Sequence, residues 1–199
     1  MKTRIGEIKK VVEVLKNGGV VVLPTDTIYG VSCSALNKNA IERVYSLRKR
    51  DLDKPCIILI SKLEQLEEFG IEISSRMRSF FEKIWPGKVS VILPIPSSKQ
   101  EEFEFLHRGK GSLGFRLPNF ELIGRVIDQV GPLISTSANV QGFPFAKNTK
   151  EAREYFGSEI DFFLDVGELR STPSSLVSIT EDKLEILREG ETELRKFIF

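Results

Sequence analysis

Ile5, Ile8, Val11, Val12 and Leu15 recur at helical spacing, and Gly18-Gly19 stops the pattern. The chain therefore opens on a predicted amphipathic helix. An unbroken apolar run over 20–23 predicts a buried strand. The run stops at Pro24 and gives way to Thr25, Asp26, Thr27, Tyr29 and Gly30, a polar corner at a buried strand end. Residues 38–49 carry Ile41, Val44, Tyr45 and Leu47 on or near one side and predict a second helix. Pro55 precedes CIILI, another continuous apolar strand, and SKLEQLEEF reads as a short helix with Ser61 as its N-cap.

A helix over 74–85 ends at Pro86-Gly87, and VSVILPI over 89–95 is the next strand. Residues 97–111 are polar, acidic and then glycine-rich, which predicts a long mobile loop. LGFRLP is a short strand, 119–130 a helix, PLIST a strand, and SANVQGFPFAKN a polar loop. A helix opens near Thr149; strands IDFFLDV, SLVSI and LEILR follow, and a short helix is expected near ETELRKF. Continuous apolar strands alternating with amphipathic helices predict an α/β fold, a twisted sheet flanked by helices. The late succession of strands makes the expected sheet mixed. No repeat, low-complexity segment or linker interrupts the chain, so residues 1–199 are expected to form one domain.

Composition narrows the chemistry. The 199 residues are 41% hydrophobic and 29% charged, the balance of a globular chain. No apolar run has the length of a membrane span, and MKTRIGEIKK lacks the apolar core of a secretory signal, so the expected location is the cytoplasm without membrane contact. Cys33 and Cys56 lie far apart in apolar contexts and are expected as reduced, half-buried core residues. No Cys and His cluster has metal-ligand spacing, and no protein metal site is expected. His107, within FLHRGKG, is the single histidine and is expected as an exposed loop residue. The net charge of +1 gives no global basic excess for nucleic acid.

Gly109 to Gly114 spell G-x-G-x-x-G, but a polar loop precedes the glycines and a strand follows them, the wrong context for a dinucleotide fingerprint. RKRDLDKP gathers Arg48, Lys49, Arg50 and Lys54 at a helix C-terminus, where cations also sit for reasons of the helix dipole alone. PLISTSANVQGFP ends a second strand in Ser135, Thr136, Ser137 and Asn139. Hydroxyls there can simply satisfy a turn, yet two such strand ends could line one crevice of an open sheet. Arg116 and Arg188 sit near other strand ends, facing either solvent or that crevice as forks for carboxylate or phosphate. An inventory rich in hydroxyls and cations and poor in His and Cys suits orienting an anionic substrate rather than a side-chain nucleophile.

PTDTIYG, R-K-R-x-x-x-K-P, WPG, FRLP, STSAN, PSSLV and ILREG, in this order over residues 18–190, resemble the YrdC-like family of threonylcarbamoyl-AMP synthases. The resemblance implies a YrdC/RibB-like fold with a concave basic cleft. It implies ATP-dependent synthesis of threonylcarbamoyl-adenylate from threonine and bicarbonate, with pyrophosphate release and with Mg²⁺ carried on the phosphates. The product would feed tRNA modification by downstream enzymes. Thr27, Arg116, Ser137 and Ser174 are then expected at threonine. Arg50, Lys54, Ser112, Asn139, Thr149 and Arg188 are expected at ATP, and Arg48, Arg50, Ser137 and Asn139 at the reacting groups. The sequence departs from the family pattern at Arg48 in place of lysine, Leu59 where several members carry histidine, Val140-Gln141 after S-A-N, and Ser175 after Pro173-Ser174. An alternative within the same fold is a paralogue that binds double-stranded RNA or nucleotide without efficient synthase activity.

Overall fold

The structure is a computed structural model that describes residues 2–180 and 183–194. The elements run α1 (Lys2–Lys16), β1 (Val21–Leu23), β2 (Gly30–Ser34), α2 (Lys38–Arg48), β3 (Ile57–Leu59), α3 (Ser75–Ile84) and β4 (Val89–Pro94). They continue with α4 (Ser97–Gln100), α5 (Glu104–His107), β5 (Ser112–Arg116), α6 (Glu121–Val130), β6 (Leu133–Ser137), α7 (Thr149–Phe156), β7 (Phe162–Phe163), β8 (Ser175–Thr180) and β9 (Lys183–Arg188). A 3₁₀ helix, Leu63–Phe69, joins β3 to α3.

Among the described residues, nine strands form one sheet in the order β7-β1-β2-β6-β3-β5-β4-β8-β9. The pairing is mixed: β3 and β5, β4 and β8, and β1 and β7 run parallel, and the other pairs are antiparallel. This is the mixed α/β sheet that the apolar pattern predicts.

Side chains alternate between the two faces of each strand, so the register sorts them. One face carries Val22, Val31, Cys33, Ile134, Ile58, Phe115, Val91 and Val177, all in the larger core. That core is completed by Ile41, Val44, Phe69, Phe81, Trp85 and Phe156 from the helical segments. The other face is divided. Val21, Leu23, Leu59 and Leu133 lie beneath Val11 and Leu15 of α1 and Ile123, Val126 and Ile127 of α6. Beyond that cover the same face changes character, to Gly30, Ser32, Ser135, Ser137, Gly114 and Arg116. Small and polar residues leave this half uncovered, and it becomes the floor of a crevice.

Several elements differ from expectation. Gly30–Ser34 is a strand although no apolar run marks it; Ser32 and Cys33 are buried on opposite faces between β1 and β6. Residues 97–111 are not a continuous loop. They hold α4 and α5, with Phe103 and Leu106 in the core and Phe103 5.2 Å from the Phe69 ring. His107 is buried rather than exposed: Nδ1 accepts from the amides of Gly109 and Gly111, and Nε2 lies 2.8 Å from the carbonyl of Gln100. It closes the turn into β5 and takes no part in the crevice. Ser61 does not cap the helix that follows; its amide donates to Gln65 Oε1, and Lys62 occupies the cap position. Strand pairing within 160–166 is confined to Phe162–Phe163, because Tyr29 captures the backbone just beyond it. Of the helix expected near ETELRKF, residues 191–194 are described and are not helical, and 195–197 lie outside the described residues. Both cysteines are free and buried rather than half-buried, and burial pushes the Cys33 thiol up.

Candidate active-site crevice

The floor of the crevice is the uncovered half of the sheet. Its walls come from segments far apart in sequence: the corner Thr25–Gly30, the turn Arg50–Cys56, the β6 end Ser135–Ser137, Pro173-Ser174, and Arg188 at the end of β9. The crevice holds about 190 Å³. Among the described residues no carboxylate, histidine, lysine or tyrosine lines it; Cys56 is its one thiol.

The corner owes its shape to three threonine contacts. Thr25 Oγ1 lies 2.9 Å from Thr27 Oγ1, accepts from the Thr27 amide and donates to the carbonyl of Ile28. These local bonds replace the strand ladder where Pro24 ends it. Gly30 is required by the neighbouring strand. A Cβ there would stand 2.3 Å from Ser135 Oγ, itself bonded to Ser32 Oγ at 3.0 Å.

Arg116 enters from β5 and is 5% exposed. Its Nη1 donates to Thr27 Oγ1 at 2.9 Å, and its Nη2 lies 3.3 Å from Asp26 Oδ1. Asp26 is in turn fixed by Oδ2, which accepts from the Asn119 amide. The ion pair leaves Arg116 Nε and Asp26 Oδ1 without a hydrogen bond among the described residues. Burial pulls the guanidinium pKa down, Asp26 opposes that, and Arg188 adds to it. A buried guanidinium with an unused N–H is a donor site for a carboxylate or phosphate oxygen.

Arg50 is held by the loop that follows it. Its Nε donates to Lys54 O and its Nη2 to Pro55 O, and Tyr45 Oη donates to the same Lys54 carbonyl. At the opposite wall Ser174 and Arg188 are joined by Arg188 Nε donating to Ser174 O. Ser90, buried near the start of β4, places its Oγ 2.9 Å from Ser174 Oγ and lines the crevice.

The structure thus gathers Thr27, Arg50, Arg116, Ser137, Ser174 and Arg188 around one space. Arg48 and Asn139 stand behind its wall: Arg48 is 2% exposed and bonds Thr136, Ser137 and Asn139. Burial, then the neighbouring Arg50, pull the Arg48 pKa down to about 10. Lys54, Ser112 and Thr149 do not line the crevice. Lys54 pairs with Asp51, and Thr149 donates to Asp165. Ser112 shares a sheet face with Arg116, four residues away along β5. Sequence reasoning missed Ser90, hidden inside an apolar strand. Leu59, singled out by the family resemblance as standing where several members carry histidine, does line it; Ile57 and Pro55 line it too and were passed over, Ile57 because its strand reads as continuously apolar.

An open α/β sheet with cations and hydroxyls converging at its strand ends defines a class: a protein that receives and orients a small anionic ligand in a strand-end crevice. Within that class the assignment is specific. The sequence matches the Sua5/YciO/YrdC family, described under the heading Telomere recombination, over residues 13–190, and the chain belongs to this family. Among its relatives is a Pyrococcus abyssi protein named threonylcarbamoyl-AMP synthase, 30% identical across 92% of this chain. The match covers 53% of that protein's length, so the chain spans about half of this longer relative. A Nitrosococcus oceani protein of the same name is 30% identical over 85% of this chain and 91% of its own length. The crystal structure of P. abyssi Sua5 complexed with L-threonine superposes with a TM-score of 0.86 at 29% identity, covering 95% of this chain and 55% of that one.

Proposed function

We propose that the crevice joins threonine, bicarbonate and ATP into threonylcarbamoyl-adenylate, as a nucleotidyltransferase releasing pyrophosphate. The observation that carries this reading is Arg116: a nearly buried guanidinium, with one N–H unused, set beside Thr27 in a crevice whose far wall holds Arg188. Family membership, the names of the relatives and the threonine bound to P. abyssi Sua5 support it.

The chemistry suits a lining without a side-chain base or acid. The neutral amine of threonine attacks the carbon of bicarbonate, and loss of water leaves a carbamate. A carbamate oxygen then attacks the α-phosphorus of ATP, and the bond from that phosphorus to the α,β-bridging oxygen breaks to free pyrophosphate. The nucleophile belongs to the substrate, so the protein's task is to position the partners and stabilise negative charge. In this reading Thr27, Arg116 and Ser174 hold threonine, with Ser137 between the two substrates. Arg50 and Arg188 meet the phosphates, and Arg48 with Asn139 fix Ser137 from behind. Lys54, Ser112 and Thr149 would reach the nucleotide only beyond the enclosed space.

Among the described residues no three carboxylate, histidine or cysteine groups gather as a metal cage. In this reading Mg²⁺ arrives on the phosphates of ATP, as part of the substrate. Among the described residues no helix is long and apolar enough to cross a membrane. In the proposed reading the substrates and a tRNA-modifying partner are met in the cytoplasm.

The test is pyrophosphate release by purified protein. Release is expected only with threonine, bicarbonate, Mg²⁺ and ATP all present. Release that ignores threonine and bicarbonate would overturn the proposal.

A further inference from the structure

Holding an amino-acid carboxylate at Arg116 does not select threonine, because every amino acid carries that group. The selection must come from what surrounds the substrate's β-carbon, and the sheet register shows what that is. β3 and β5 pair so that Leu59 lies beside Arg116. β4 and β5 pair Val91 with Phe115, so Ser90 falls beside Arg116 on the other side. Leu59, Arg116 and Ser90 thus form one row across three adjacent strands, and all three line the crevice. Neighbouring strands are about 4.8 Å apart, so the two flanking side chains reach either side of a ligand seated on Arg116.

The flanks differ in chemistry. Leu59 offers only carbon. Ser90 is fully buried, and its hydroxyl meets that of Ser174 at 2.9 Å, either oxygen being able to donate. Two hydroxyls carry two protons, and their mutual bond uses one. Neither hydroxyl has another hydrogen bond among the described residues, so one O–H and several lone pairs are left for a ligand. A buried polar group in that condition favours a ligand that satisfies it and penalises one that does not.

Resting on the function proposed above, we infer that Ser90, acting with Ser174, is the specificity-determining group that reads the β-hydroxyl of the substrate, while Leu59 receives the β-methyl. With the carboxylate on Arg116, the two substituents of threonine's β-carbon point to opposite flanks of the row. L-2-Aminobutyrate, which keeps the methyl and lacks the hydroxyl, leaves the serine pair unsatisfied. Serine keeps the hydroxyl and leaves Leu59 without a partner.

The test compares threonine, L-2-aminobutyrate and serine in the wild type, Ser90→Ala and Ser174→Ala. It uses both kcat/KM for pyrophosphate release and calorimetric binding, with melting curves to confirm folding. The wild type should favour threonine over L-2-aminobutyrate by about 100-fold or more, and over serine by about tenfold or more. Either alanine variant should bring the first ratio to within about tenfold by losing threonine, and should leave the methyl preference in place. Two variants that keep the wild-type ratio, or that weaken threonine and L-2-aminobutyrate alike, would overturn the inference. Binding that shows the preference in a protein that releases no pyrophosphate would sink the reaction and leave the hydroxyl reader standing. A wild type that binds threonine and L-2-aminobutyrate equally would sink the reader even if the reaction proceeds.

Discussion

Arg48 donates to both acceptors of Asn139: its Nη2 to Oδ1 at 2.7 Å and its Nε to the main-chain carbonyl at 3.0 Å. The same guanidinium reaches Thr136 Oγ1 through Nη1 and Ser137 Oγ through Nη2. The last turn of α2 is thereby bolted to the end of β6, and the side chain acts through the residues that meet the ligand. Arg48→Lys supplies a point charge in place of a fork and cannot serve four acceptors in this geometry. It should lower kcat by about 10–100-fold, because Ser137 and Asn139 drift, while threonine KM changes little. Arg48→Ala should also cost about 2–4 kcal/mol in denaturant unfolding, the expense of stranding buried acceptors. Full activity in Arg48→Lys would contradict the positioning role.

Arg116 should be separable from the nucleotide. Arg116→Ala is expected to raise threonine KM by about 10–100-fold, with ATP KM shifted by less than about threefold. Arg116→Lys should recover only part of the loss, since the single ammonium cannot bond Thr27 and a carboxylate as a fork does. Equal losses for both substrates in steady-state assays would refute the carboxylate role.

Gly190 is confined by the wall it supports. A Cβ there would lie 2.7 Å from Pro173 O and from Ser175 N, both backbone atoms that have little room to move. Its amide also donates to Ser175 Oγ. Gly190→Ala should push the Pro173-Ser174 wall outward, destabilise the fold by about 1–3 kcal/mol and weaken threonine binding. Thermal melts and calorimetry on one preparation would measure both effects.

Glu191 ties the segment after β9 to that same wall. Its carboxylate accepts from Lys88 Nζ, Ser171 Oγ and the Thr172 amide, and these bonds, led by Lys88, hold its pKa down at about 2 against an ordinary value of 4.5. A carboxylate with a depressed folded value contributes stability fully above the unfolded pKa and loses it as pH falls through the folded one. The contribution should therefore fade between about pH 4.5 and pH 2. Comparing acid unfolding of the wild type with Glu191→Gln, whose difference should vanish across that window, checks it. An NMR titration that puts Glu191 near 4.5 would contradict the clamp.

Much of this architecture is legible in the sequence, because most strands bury both faces and read as unbroken apolar runs. β2 escapes for the opposite reason. Gly30, Ser32 and Ser34 are the small residues that a crevice floor and a close strand require, and together they carry no hydrophobic signal. The four-residue helices α4 and α5 are too short for a period to show, and it takes Phe103, Leu106 and His107 folding inward to make them structure. The strand-end hydroxyls and arginines were visible as candidates. Their convergence was not, since it depends on a register that pairs β6 with β2 and β3 across a long sequence gap. Ser90 was invisible on its own: an isolated serine within VSVILP gains meaning only beside Arg116.

The strand order has a kinetic meaning as well. The crevice takes its floor from β2, β6, β3, β5 and β4 and its last wall from Ser174 and Arg188, so no contiguous stretch of chain can assemble even a rudimentary pocket. Occupancy would then behave as a report on completion. A chain still missing its final two strands would ignore its ligands, and once the sheet has closed, every bound molecule would brace distant segments against coming apart.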